Sequence, residues 1–450
     1  MTSRSPRRPR APHAIALAAS AIAACLATAQ WDAEPLGASQ EHSVTTTVDV
    51  VDANPAAKAP PTLLPIASSW RVERGELPLP VIEAAVVVRE RHLAVLGGLD
   101  ASFEATTAIQ IHDPRRGWLP IGSQLATPRA DAACVELPDG RVLLFGGFTG
   151  SIASPTHLED GERLDPLVAG SSRAILAFGE SLEGLTATPL AGDRVLVAAG
   201  SVARIYDASL DRWSEPAALD IPRRHHAALA LDESHVLLVG GEIAERPNRR
   251  PDRLSATLVF VPEAVEPSTI PAPEAEPFEC SGRSSPPWGL REFAVARHPR
   301  DGRWLIAGGL DPSSGSTVRE TWWLDADRAA VFRGPAIPHD LGACRLHIAE
   351  LDRGLVFLGG EWRLPGARGE VNASWLLLEK ASREMQWRSL APLPASGSRR
   401  MLVDGPHGLE LLGGYAFIDA ESASAEGATP GPRFDRRRYR LSIAPLASGD

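Results

Sequence analysis

The sequence predicts an all-β fold in which seven four-stranded blades close into a ring, a seven-bladed β-propeller. Three observations carry that reading. A short apolar run ending in a glycine doublet recurs seven times: HLAVLGG, RVLLFGG, RVLVAAG, HVLLVGG, RWLIAGG, GLVFLGG and GLELLGG, closing at Gly98, Gly147, Gly200, Gly241, Gly309, Gly360 and Gly414. The spacings of 49, 53, 41, 68, 51 and 54 residues match the period of a propeller blade and exceed those of helical repeats. The last repeat lacks its fourth strand while an orphan fourth strand stands ahead of the first repeat, which is what ring closure needs.

Each part of the repeat has a local reason. The apolar run is short and rich in Val, Leu and Ile, as suits a strand buried on both faces, and two glycines end it where the backbone passes close or takes positive φ. Upstream lies a Pro/Arg turn and a first apolar strand, as in TPRADAACVEL from Thr127, IPRRHHAALAL from Ile221, LREFAVARH from Leu290 and ACRLHIAEL from Ala343. Turns such as Pro138-Asp139-Gly140 and Arg300-Asp301-Gly302 join it to the glycine-doublet strand. A third strand ends in an apolar or aromatic residue plus Asp, at Asp113, Asp207 and Asp325, where the aspartate caps the next turn. Trp118, Trp213 and Trp387 open fourth strands and are expected to pack between blades. The last repeat ends in RRYRLSIAPL without such a strand, and Ser69-Trp70-Arg71-Val72 stands as an orphan fourth strand ahead of the first repeat.

The N-terminus reads as an address. Arg4, Arg7, Arg8 and Arg10 precede the apolar run Ala14 to Ala29, the pattern of a signal peptide spanning 1–29 and too short for a membrane span. Two processing readings stand side by side: Ile22-Ala23-Ala24-Cys25 is a lipobox that would make Cys25 a lipidated first residue, and Ala27-Thr28-Ala29 offers an A-x-A site before Gln30. Residues 30–67, rich in Thr, Ala and Pro, read as a flexible tether, and 68–450 as the propeller. The stretch at about 262–288, acidic and then Pro/Ser-rich, reads as a surface insertion in blade four.

Composition narrows the function. A net charge of -10 argues against nucleic-acid binding, and four cysteines without a CxxC pair argue against a disulfide framework or thiolate metal site. Lys58 and Lys380 are the only lysines among 46 basic residues, an arginine bias that suits a GC-rich bacterial genome.

The Pro/Arg turn, glycine doublet, Tyr-Asp and Trp together resemble the kelch repeat, over about residues 68–445. The resemblance implies a propeller able to serve either as an enzyme or as a binding module. One kelch oxidase family holds copper with two tyrosines and two histidines. This chain has only Tyr206, Tyr415 and Tyr439, and its one adjacent histidine pair, His225-His226, points to opposite faces of a strand, so no metal or other cofactor is expected. A kelch-like sialic-acid epimerase of the bacterial envelope offers another precedent. The acid/base candidates it suggests are Glu83, Arg129, Glu292, Arg345 and Glu350, with no spacing that singles out a pair. No catalytic residue is assigned from them.

The arginine after the turn recurs as Arg129, Arg223, Arg291, Arg345 and Arg399. Those guanidinium groups are the candidate ligand site, a ring able to grip a carboxylate, with hydrogen bonding inside the repeat as the alternative. Trp288 and the Trp322-Trp323 pair are further candidates for ring stacking on a sugar or peptide. The expectation is a monomeric, exported, lipid-anchored bacterial propeller of the periplasm or cell surface. It would act without catalysis, recognising a protein or peptide, with a carbohydrate-binding or sugar-modifying envelope protein as the alternative.

Overall fold

The computed structural model describes residues 63–444, except 90, 244–255, 263–268, 279–288, 312, 353, 380–383, 395–398, 406–407 and 419–430. The expected signal segment with Cys25, most of the tether, Cys280 and Trp288 lie outside the described residues.

Seven four-stranded antiparallel blades form the ring, and no helix interrupts them among the described residues. The strands of a blade are here called a to d from the channel outward. Blade two shows the plan: a (Ala133–Glu136), b (Val142–Phe145), c (Gly161–Leu164) and d (Arg173–Ile175). Strand b is buried on both faces. Leu143 and Phe145 pack toward blade three, beside Tyr206 and Trp213, while Val142 and Leu144 pack toward blade one, beside Leu96 and Ile109. Each such side chain removed from water contributes about 1.5–3 kcal/mol, so the two-faced apolar run is what glues neighbouring blades together. Trp387 serves the same purpose in blade six, with its ring 4.7 Å from that of Phe357.

The glycine doublets end strand b. The first glycine has φ near +60°, and a Cβ there would approach the next blade: at Gly97 it would stand 2.3 Å from the Arg129 carbonyl, and at Gly308 2.2 Å from that of Ala343. The aspartate caps behave as expected. Asp113 Oδ1 accepts from the amides of Arg115 and Arg116, and Asp207 Oδ1 from those of Ser209 and Leu210.

The ring closes through the orphan strand. Ser68–Val72 pairs antiparallel with Arg438–Ile443, Trp70 opposite Leu441, and becomes strand d of blade seven. Residues 64 and 65, inside the stretch read as tether, pair in parallel with blade six. Part of the stretch read as an insertion supplies structure as well, since Glu274–Phe278 is strand d of blade four. Blade three departs from the plan. Its Arg194–Asp207 run carries both inner strands: residues up to Ala198 pair with Thr186–Pro189, and residues from Gly200 onward pair with Ala217–Arg223 and Arg212–Trp213.

Candidate functional site

Two residues ahead of every strand a, at the channel mouth, one residue sits in the left-handed region. Blade by blade these are Glu83, Asp131, Gly184, His225, Glu292, Arg345 and Arg399, with φ between 54° and 60°. Six of the seven are not glycine, and each such residue holds strain of ~1–2 kcal/mol. Backbone bonds between adjacent members hold the ring: Asp131 N donates to Glu83 O at 2.9 Å, His225 N to Gly184 O at 2.8 Å and Arg345 N to Glu292 O at 2.8 Å. A conformation repeated seven times is the geometry that turns one side chain per blade toward the axis.

This ring corrects the arginine set read from sequence. Only Arg345 and Arg399 occupy it; Arg291 stands one residue earlier, and Arg129 and Arg223 two residues earlier. Arg129 and Arg223 are buried in their own blades. Arg129 donates to the Gly146 carbonyl and to Glu162 and Asp160, and Arg223 to the carbonyls of Leu238 and Gly240 and to Thr257. Those two are blade braces, because a guanidinium enclosed by strand b carbonyls satisfies the repeat itself. Glu350 is also removed from the channel, its carboxylate accepting from the Arg297 amide. The Trp322-Trp323 pair offers no exposed ring, at 6% and 3% relative exposure.

The ring has two arcs. Across blades four to seven, charges pair off in a belt. Arg291 Nη1 lies 2.9 Å from Glu242, Arg345 Nε 2.9 Å from Glu292, Arg363 Nη2 2.9 Å from Glu361 and 3.4 Å from Glu292, and Arg399 Nη1 3.0 Å from Glu83. Burial alone would raise the Glu292 carboxyl, but Arg345 and Arg363 outweigh it and hold it down at about 2. The thiol of Cys344 beside them is buried and pushed up, so it stays protonated.

The other arc, blades one to four, leaves space. Gly184 contributes no side chain, and His225 leans over it, so that a Cβ on Gly184 would fall 2.4 Å from His225 Nδ1. There a small cavity of about 10 Å³, room for a water molecule, is lined by Asp131, Phe148, His157, Glu183, Gly184 and His225, among others. Glu183 Oε1 stands 3.7 Å from His225 Nε2, and its Oε2 stands 2.6 Å from Arg224. Burial would raise Glu183, but the neighbouring His225 and the charge of Arg224 prevail and hold it at about 2. His157 is lowered by burial and so is neutral at pH 7. His226 points the other way, its Nε2 2.8 Å from Thr186 Oγ1, as strand alternation requires.

Asp131 completes this arc. Six carboxyls, Glu83, Asp131, Glu183, Glu242, Glu292 and Glu361, meet five arginines, Arg224, Arg291, Arg345, Arg363 and Arg399, around the mouth. Among the described residues no arginine forms an ion pair with Asp131. Burial raises it first, the neighbouring Glu83 adds to that, and Arg345 and Arg399 offset only part, leaving it at about 8. Glu83 is raised too, since burial exceeds what Arg399 returns. Of two adjacent carboxyls, the one that faces arginine ionises and the other keeps the proton. Asp131, Glu183 and His225 thus set a proton donor and an ionised acceptor around one cavity.

The fold and this mouth define a seven-bladed β-propeller with a polar, charge-balanced channel entrance. No family model matches the sequence, and no curated protein matches it. Solved structures do. A fungal alcohol oxidase of the AA5 family, in complex with copper, superposes with a TM-score of 0.60 at 12% identity, covering 84% of this chain and 76% of that one. The structure of YjhT aligns with a TM-score of 0.47 at 13% identity, over 70% of this chain and 99% of that one. The oxidase likeness is one of fold. The tyrosines here do not offer a copper donor set: Tyr206 donates to Asp211, Tyr439 to Asp435, and Tyr415 packs on Phe103 and Phe434.

The non-enzymatic scaffold expected from sequence is set aside on two findings. Its arginine face does not exist as a face, each of the five being engaged with carboxylates or carbonyls of the propeller. The comparisons add no support for it: they show the fold alone, with a fungal alcohol oxidase among the solved structures that share it.

Proposed function

We propose that the protein binds a carbohydrate at the channel mouth and modifies it by proton transfer. One observation carries this reading: Asp131, which keeps its proton at neutral pH, and ionised Glu183, coupled to His225, line the same cavity. Acid/base work on a sugar needs a donor and an acceptor on different sides of one ring, with each group in its working protonation state near pH 7. Here Glu183 with His225 accepts a proton from the sugar, and Asp131 donates one to its oxygen. The repeats are read as kelch-type and the chain as bacterial and exported, with Cys25 as lipid attachment point; among the described residues no helix is long and apolar enough to cross a membrane.

The test mixes the protein with free hexoses, N-acetylhexosamines and uronic acids and follows anomeric and epimeric exchange by NMR. Exchange accelerated by the wild type and reduced at least ~100-fold in Asp131→Asn supports the proposal. Neither binding nor exchange with any sugar, from a protein shown to be folded, overturns it.

A further inference from the structure

His225 is a buried side chain whose hydrogen bonds the protein does not complete. It is 2% exposed, and among the described residues neither ring nitrogen has a hydrogen-bond partner. Buried polar groups are satisfied in folded proteins, by protein or by ordered water. The carboxylates facing the ring stand too far for direct bonds, with Glu183 Oε1 3.7 Å and Glu242 Oε1 3.9 Å from Nε2. Polar groups just beyond hydrogen-bond reach of one another are where a bridging water sits.

The small cavity beside the ring supplies the place. Its volume of about 10 Å³ is roughly one water-sized sphere, the least that a water requires. A water also requires two to four polar partners, and His225, Glu183, Asp131 and His157 line the space. Phe148 and Leu185 wall the rest of it. Gly184 makes the room, since a Cβ there would fall 2.4 Å from His225 Nδ1. A metal ion does not fit the donor set, because among the described residues no three His, Cys, Asp or Glu side chains are grouped to hold one.

Resting on the reading of the mouth as an acid/base site, we propose that one buried water, positioned by His225, bridges Asp131 to Glu183 and returns the proton between them after each turnover. When Glu183 has taken a proton from the sugar and Asp131 has given one to it, Glu183 is neutral and Asp131 ionised. The water oxygen then accepts the proton from Glu183 while one of the water's own protons passes to Asp131. One proton leaves Glu183, one arrives at Asp131, and the water is unchanged. The transfer runs downhill, because Arg224 and His225 hold Glu183 at about 2, whereas burial and Glu83 raise Asp131 to about 8. Both groups are thus reset without exchanging protons with bulk solvent.

The test is a neutron structure of the wild type in heavy water at pH 7, together with carbon-13 NMR titration of Asp131 in the wild type and in Glu183→Gln. The expected structure has one water in the cavity, its oxygen about 3 Å from a His225 ring nitrogen and hydrogen-bonded to both carboxyls, with a deuteron on Asp131 and none on Glu183. In Glu183→Gln the Asp131 midpoint should fall by about one unit, since the bridged pair titrates as a linked unit and a negative neighbour is lost. A cavity without water, a water that reaches only one of the two carboxyls, or an Asp131 midpoint unmoved by Glu183→Gln overturns the relay and leaves the sugar reading to its own exchange assay. The bridge and the linked titration in a protein that exchanges no sugar uphold the water site and overturn the catalytic reading on which its part in turnover rests.

Discussion

Blades two to four and blades five to seven place side chains at the same backbone position and use them for opposite ends. On the far side, Glu292, Arg345 and Arg399 are paired with Arg363, Glu361 and Glu83, and the belt fills its half of the mouth. On the near side, glycine at 184 and an aspartate without an arginine leave a cavity. One half of a symmetric ring is structural and the other is free for chemistry, because the repeat fixes where the side chain points and not what it is.

The largest expected effect comes from breaking the belt. Glu292→Leu removes one of the two carboxylates that Arg345 and Arg363 share, leaving Glu361 alone to balance both at a buried site, and should cost about 3 kcal/mol in urea unfolding. An equal loss from Glu183→Leu, whose carboxylate is 20% exposed, would erase the distinction between the arcs. Gly184→Ala comes next. It combines positive φ with a Cβ that would stand 2.4 Å from His225 Nδ1, and should cost about 2 kcal/mol and abolish sugar binding. Unchanged binding by calorimetry would show that His225 is not poised as described.

Asp131→Asn sharpens the comparison through pH. Asp131 is raised in the folded protein from 3.8 to about 8, so between those values the folded state binds the extra proton and stability falls as pH rises. Glu292 and Glu183, held at about 2, act in the other sense: their contribution is present above the ordinary carboxylate range and is lost as pH falls toward 2. Thermal unfolding of Asp131→Asn should therefore show a flattened decline from pH 4 to 8 and an unaltered acid limb. A parallel shift of the whole curve would assign the decline to another group. The smallest effect is expected at Arg328→Ala, whose side chain is 77% exposed beside Asp325, within about 0.5 kcal/mol of the wild type.

The blades were legible in the sequence, and the ring at their mouth was not. Strand b announced itself because burial on both faces demands an unbroken apolar run and a close approach demands glycine after it. The closing strand at Ser68–Val72 was legible for a similar reason, an apolar element with no partner nearby. The channel residues lie 14 to 16 residues ahead of the first doublet position, because the turns between strands a and b differ in length, so counting back does not fix them. Aligning on arginine misled for a physical reason: Arg129 and Arg223 follow proline and brace strand b, whereas Arg345 and Arg399 stand two residues closer to strand a and face the axis. A usable signal was present in one respect. Each of the six non-glycine positions carries a charged or titratable side chain directly before a small or apolar strand.

The central claim is that Asp131 holds a proton at neutral pH within the open arc. Carbon-13 NMR titration of its side-chain carboxyl, assigned by its absence in Asp131→Asn, tests this directly. The account expects an apparent midpoint near 8, with a smaller linked step from Glu83. A midpoint close to 4, the ordinary value for an exposed aspartate, would contradict it and with it the assignment of Asp131 as the proton donor.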